Sequence, residues 1–442
     1  MISSIFLIIG LRSAGALHTL EELLLSDRII NSVVSYAVYL RKFFWPMDLA
    51  VFYPYQSTYP FWQLFGAASV LTGITIAVLF FWKKAPFIFV GWFWYLGTLF
   101  PVIGLLQTGI QTKADRYTYL PSIGIGIMLI WGILYLVPKE KIRKIVLFPA
   151  AVIVSIALTI LTWQQCGHWK NSVSLWSHAA NVTEDNYFAH NTLGALFLAE
   201  NKNDEAIVHL QAAIQINPFW DNAYNMLGVA QVAQGEKEKA IAHFLEAIKV
   251  NPYNDNAQLN LGISLEEQGK NEEAKSYYHK AMEINPANAG SHYHLASLLM
   301  KQGEKKQAEH HYREAIKSNP DYFAARYDLA GILANQGKIG EAIEHFREAA
   351  RINDSSFQAL NNLGVLLEKQ QQHEEAIHYY RLAMPLEPNN PGLHFNLGVA
   401  LGNKGDFSQA IHHFSRAVEL KPDYEEALRA LKLARELQRQ NQ

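Results

Sequence analysis

One cysteine, Cys166, is all the chain has in 442 residues, so no disulfide can form within it. The short motifs that carry common chemistries are missing too: no CxxC pair, no Gly-rich phosphate loop and no GxSxG nucleophile elbow occurs. Phosphate-loop nucleotide chemistry and an α/β-hydrolase elbow are therefore excluded as readings. Basic charge is scarce where a polyanion partner would need it. Residues 1–168 hold 12 Lys/Arg against 6 Asp/Glu, whereas 169–442 hold 26 against 34. That balance excludes nucleic acid as a partner of the acidic remainder. At this length the chain exceeds one core and points to two or three domains.

Charge is absent altogether from four apolar segments: 62–82, 87–106, 119–137 and 145–163. Each approaches the roughly 20 residues that a helix needs to cross about 30 Å of hydrocarbon. Trp62, Trp82, Tyr119, Tyr135 and Trp163 mark their ends, where amphipathic rings favour the headgroup level. A polytopic transmembrane helical segment over 62–165 is expected. Lys83 and Lys84 join the first pair, and Lys139, Lys141, Arg143 and Lys144 the second, so the positive-inside rule places both loops in the cytoplasm. An even number of crossings then returns the chain to the outer face. Residues 1–61 combine a partial apolar N-terminus, Met1–Gly10, with a half-polar stretch, Arg28–Tyr55. The first reads as the tail of a longer helix, and the second as an amphipathic helix in the outer interface, with a fifth span as the alternative.

After a linker at 166–186, the sequence repeats every 34 residues from Tyr187 to Pro422, seven times. The eighth position is always Gly or Ala, from Gly194 to Gly398, and the twentieth is always Ala, from Ala206 to Ala410. Large apolar residues occupy the twenty-fourth, from Leu210 to Phe414, and six of seven units end on proline, Asp354 being the departure. This is the period and pattern of tetratricopeptide (TPR) repeats, an all-α solenoid of helix pairs, with 423–442 as a capping helix. Such arrays bind proteins or extended peptides along a groove lined by first helices. Position six runs Thr192, Met226, Asn260, His294, Asp328, Asn362 and Asn396. Asn260, His294, Asp328, Asn362 and Asn396 are the candidate groove residues. The file resembles, at its three asparagines, the ladder of O-GlcNAc transferase repeats; a solvated polar helix face is the plain alternative. Position two carries no Lys, which disfavours chaperone C-termini as partners. Histidines recur at position twenty-three (His209, His243, His311, His345, His413), so the repeat itself explains them, and neither a metal nor a cofactor is expected.

Between the second and third apolar segments, Asp115 and Arg116 sit beside Tyr117 and Tyr119. An arginine there can hold a phosphate of an anionic lipid or a polyprenyl-phosphate sugar; an interfacial ion pair is the structural alternative. Three segments, Tyr39–Pro46 with Tyr53-Pro54, Ala114–Ser122 and Trp169–Ser172 leading into the repeats, resemble the transmembrane and TPR-repeat-containing O-mannosyltransferases and their bacterial GT-C relatives. The resemblance implies a lipid-phosphate sugar donor, extracytoplasmic repeats that select acceptor proteins, and a lipid-phosphate role for Asp115 and Arg116. It also implies further N-terminal spans and an acidic catalytic loop that the chain, as an N-terminally truncated relative, does not contain. No catalytic residue is therefore assigned. The expected function is a membrane-anchored TPR scaffold on the extracytoplasmic or periplasmic face; the alternative is the C-terminal part of a membrane protein O-glycosyltransferase.

Overall fold

A computed structural model describes residues 25–54, 59–103 and 111–440, the side chains of 111–113 and 116 excepted. The expectation for Met1–Gly10 lies outside these residues. The chain divides into two compact units, Met1–Val250 and Asn251–Gln442.

In the first unit, helix α1 (Leu25–Phe44) has Asp27 in its first turn and Arg41 and Lys42 in its last, which complements the helix dipole, and it stops just ahead of Pro46. It buries Asn31, Ser32, Ser35 and Lys42 beside Val34 and Tyr39, while Leu25, Ile29 and Phe44 are exposed. Two of its inner polar groups are partnered: the Tyr59 hydroxyl donates to Asn31 Oδ1 at 2.7 Å and Ser32 Oγ to the Ile103 carbonyl at 3.3 Å. Helices α2 (Phe61–Phe81), α3 (Pro86–Leu99) and α4 (Tyr119–Leu136) follow, and a π-helical turn (Arg143–Leu147) leads into α5 (Phe148–His168). Strands β1 (Tyr53–Pro54) and β2 (Gln111–Lys113) form a short antiparallel pair, Tyr53 opposite Lys113.

Among the described residues three helices are long and apolar enough to cross a membrane: Phe61–Phe81, Tyr119–Leu136 and Glu140–His168. The segment at 87–106, expected to be a fourth, differs. Its α-helix has 14 residues and tightens into a 3₁₀ turn, Phe100–Val102, centred on Pro101, which has no N–H to continue the ladder. At 1.5 Å per residue the α-helical part is roughly 21 Å long. Around it lies the core of this region: Trp92, Tyr95, Leu99 and Ile103 with Tyr39 and Ile125. The Tyr36 hydroxyl donates to Leu96 O at 2.7 Å and the Tyr95 hydroxyl to Tyr36 O at 2.6 Å, locking α1 to α3. Helices α3 and α4 cross at Gly91 and Gly124, where a Cβ on either glycine would run into the other's carbonyl oxygen. Small residues at such a crossing let apolar helices approach backbone to backbone.

Residues 166–186 contain helix α6 (Ser172–Val182), opened by a capping box in which Asn171 Oδ1 accepts from Ser174 N at 2.8 Å. The first two repeats then give α7 (Tyr187–Ala199), α8 (Asn203–Ile216), α9 (Asp221–Ala233) and α10 (Lys237–Val250). Ala179 of α6 and Ala189 of α7 share a small core with Ala50.

The second unit holds five repeats and the capping helix. Its pairs are α11 (Asp255–Glu267) with α12 (Asn271–Ile284), α13 (Ala289–Lys301) with α14 (Lys305–Ser318), and α15 (Phe323–Asn335) with α16 (Ile339–Ile352). Then come α17 (Phe357–Lys369) with α18 (His373–Ala383), α19 (Pro391–Asn403) with α20 (Phe407–Leu420), and α21 (Glu425–Gln440). In both units the twentieth-position alanines are fully buried, as are those seven residues later, Ala213 through Ala417. The eighth-position glycines meet the twenty-fourth-position side chain: a Cβ on Gly262 would lie 2.6 Å from the Tyr278 ring, and one on Gly398 2.7 Å from that of Phe414. Every helix pair turns through a residue at positive φ: glycine at 235, 269, 303, 337 and 405, but Asn201 (59°) and Gln371 (58°) in the first and sixth repeats.

Candidate functional site

The five candidate groove residues Asn260, His294, Asp328, Asn362 and Asn396 all lie half-buried on first helices of the second unit. The structure brings Asp328 and Asn362 together and leaves the others apart. They line a recess of about 360 Å³ bounded by α13, α15 and α17, with Lys301, Tyr312, Tyr327 and Phe346 among its walls. Asn362 donates to the Tyr327 hydroxyl at 3.1 Å. Asp328 accepts from the hydroxyls of Tyr293 and Tyr312, the latter at 3.5 Å, yet burial still pushes its carboxyl above the usual range. Gly331, one turn along from Asp328, opens the recess: a Cβ there would meet nothing within 4 Å. His294 instead stacks on Tyr278, 5.9 Å between ring centroids, and Asn396 donates to Asn361 Oδ1 at 3.2 Å.

Tyr278 and Tyr312 were legible as seam fillers at position twenty-four, not as groove residues. Their rings sit in the seam while their hydroxyls reach the first-helix face. Tyr278 donates to Glu266 Oε2 at 2.7 Å, and Lys301 pairs with Glu266 Oε1 at 2.7 Å. Those donors hold the Glu266 carboxyl below its ordinary range against the opposing effect of burial.

Histidines at positions four and twenty-three form three equivalent contacts. Nδ1 lies 3.0 Å from Nδ1 in His190–His209, His292–His311 and His394–His413. His292 and His394 also place Nε2 near the carbonyls of Pro286 (3.1 Å) and Pro388 (3.0 Å). With Nε2–H donated there, Nδ1 is an acceptor and its partner must donate. Burial and the neighbouring rings lower His311 and His413 to about 4. No group of three or more His, Cys, Asp or Glu placed to hold a metal occurs among the described residues.

The first unit contains a second recess of about 450 Å³ around an ion pair. Lys42, 6% exposed, lies 3.2 Å from Asp115 Oδ1. Asp115 Oδ2 accepts from Ala50 N and from the Tyr53 hydroxyl, both at 2.8 Å, and that hydroxyl also contacts the Lys42 ammonium. Asp115 is thus tied to Lys42, a residue that the sequence presents only as part of an amphipathic stretch. Arg116 belongs to the 3₁₀ turn Asp115–Thr118, and its side chain lies outside the described residues. Pro46, Ser122, Cys166 and Trp169 also line this recess, so the three segments that carried the family resemblance converge on it.

Antiparallel helix pairs repeating at 34 residues, with small residues at the crossings, define a helical-repeat protein. Family models described as tetratricopeptide repeat match residues 265–311, 293–357, 357–390 and 392–424, and models described as TPR repeat match 194–235 and 232–269. The array is therefore an array of tetratricopeptide repeats. Similar solved structures include YrrB, described as a TPR protein with an unusual peptide-binding site (22% identity, 43% of this chain and 97% of that one, TM-score 0.40). PilF of Pseudomonas aeruginosa (20% identity, 47% and 95%, TM-score 0.41) and MamA (25% identity, 37% and 95%, TM-score 0.33) are also similar. No curated protein matches the chain.

Proposed function

We propose that the chain is a membrane-anchored TPR scaffold whose first-helix groove holds an extended segment of a partner protein on the extracytoplasmic face. The observation that carries the reading is the recess at Asp328 and Asn362, a concave, aromatic-walled site with a few convergent polar groups. The anchoring half of the proposal rests on the apolar surfaces of the first unit. Nothing in the 18-residue apolar window of Glu140–His168 is buried, and α1 turns Leu25, Ile29 and Phe44 outward over a polar inner face, the arrangement that suits hydrocarbon outside. A photo-crosslinking residue at Asn335, on the wall of the recess, should give a discrete protein adduct in cells, and the same group at exposed Lys306 should not. The adduct should vanish with Gly331→Leu, which fills the recess. Equal adducts from both positions would sink the groove reading.

A second reading, the C-terminal part of a membrane protein O-glycosyltransferase with a lipid-phosphate sugar donor, is favoured by one observation: the three resemblance segments line one recess with a buried cation, Lys42, on its wall. The proposed role of Asp115 is to orient that cation, and of Arg116 and Lys42 to hold a phosphate. The test is a proteoliposome supplied with polyprenyl-phosphate sugar and acceptor proteins. Turnover that Lys42→Met abolishes would favour this reading over the scaffold alone.

A further inference from the structure

The groove of the second unit carries two carboxylates in contrasting settings. Glu266 has a cation of its own chain, Lys301 at 2.7 Å, as well as the Tyr278 hydroxyl. Asp328, about two repeats along, has tyrosine hydroxyls alone, and no Lys or Arg pairs with it among the described residues. We propose that the recess over Asp328 is a receptor for one cationic side chain, lysine or arginine, on the segment that the groove holds.

This rests on the scaffold reading and names the partner's chemistry. The walls fit the stem and head of such a residue. Tyr312, Tyr327 and Phe346 surround about 360 Å³, with Tyr327 and Phe346 edge to face at 5.4 Å between centroids. Aromatic faces take the alkyl stem by apolar contact and the charged head by cation–π attraction. Asp328 then supplies the counter-charge, and a cation beside it offsets the desolvation that raises its carboxyl. Other occupants fit worse. An apolar side chain would seal a carboxylate away from water with no counter-charge, which is costly. An acidic one would meet Asp328, and the ammonium on the wall, Lys301, is already engaged by Glu266. Gly331 provides the entrance, because its missing side chain leaves open space on the wall of the recess.

The test uses the full chain in neutral-lipid nanodiscs and fluorescent Gly/Ser nonapeptides, blocked at both ends, with one central residue varied. Anisotropy should rank lysine and arginine peptides at least about tenfold tighter than acetyl-lysine, norleucine or glutamate peptides, a gap of about 1.4 kcal/mol. Asp328→Asn keeps an acceptor for Tyr312 and should erase that preference; Gly331→Leu should abolish binding of every peptide. Equal binding of lysine and norleucine peptides, unaffected by Asp328→Asn but lost in Gly331→Leu, overturns the cation receptor and leaves the groove standing. Binding that Gly331→Leu does not touch, or no binding of any peptide, overturns both.

Discussion

Gln371 occupies a backbone conformation that five of the seven helix turns give to glycine, and a side chain there crowds the following carbonyl. Gln371→Gly is expected to stabilise the protein by about 1 kcal/mol, read as a later thermal transition by circular dichroism. Asn201→Gly should gain less, because asparagine tolerates the left-handed region. No change for Gln371→Gly would show that its turn is unstrained. The histidine contacts make a second expectation. His311 and His413 titrate near 4 when folded, below the ordinary 6.5, so between these values the unfolded chain binds protons first. Their contribution is fully present above pH 6.5 and is lost as pH falls toward about 4. Carboxylates such as Glu309, held to about 2, act in a lower window, below 4.5. Melting followed from pH 7.5 downward should fall first in the histidine window, and His311→Asn with His413→Asn should flatten that part of the curve. What was legible at this scale followed from repetition. Positions eight, twenty and twenty-four announced themselves because the same size recurs at 34-residue intervals. The Tyr312 hydroxyl did not, because Tyr and Phe serve the seam equally and only the fold shows where the ring's far end emerges.

Among the elements, the helices of the repeats were readable from period and proline stops, whereas the first unit was readable only as apolar runs. Composition shows that 87–106 avoids charge, but not that Pro101 ends its α-helix or that α3 is held by tyrosines of α1 and its own core. Likewise 166–186 looks like a linker because it lacks the repeat period, yet Asn171 and Ser174 are enough to start α6. The ion pair of Lys42 with Asp115 joins residues 73 apart, beyond any local pattern. The crossing of α3 and α4 gives a direct check. Gly91→Leu forces a side chain into the Gly124 carbonyl and should destabilise the helix pair by about 1 to 3 kcal/mol or more, seen as a lower melting temperature in detergent than for Gly97→Leu. At Gly97 a Cβ would meet nothing within 4 Å. Equal melting of the two variants would mean that the helices part freely.

For the whole molecule, the proposed membrane anchoring makes a claim about the side of the bilayer on which the repeats lie. Lys83 and Lys84, and Lys139 to Lys144, are proposed to be cytoplasmic and the repeats extracytoplasmic, which requires α3 with its 3₁₀ extension to complete a crossing despite its length. Alkaline phosphatase fused after Gln442 should be active, and a fusion at Lys84 inactive. An inactive fusion at Gln442 would mean an odd number of passages. In the repeats themselves, the residues that hold copies together are nearly the same in every copy, while those that line the recess differ between copies. Loss or duplication of one 34-residue block by unequal recombination would therefore rejoin a familiar seam. Yet it would deal the groove a new hand of side chains, so that partner choice in this lineage can drift by shuffling whole blocks while the scaffold keeps folding.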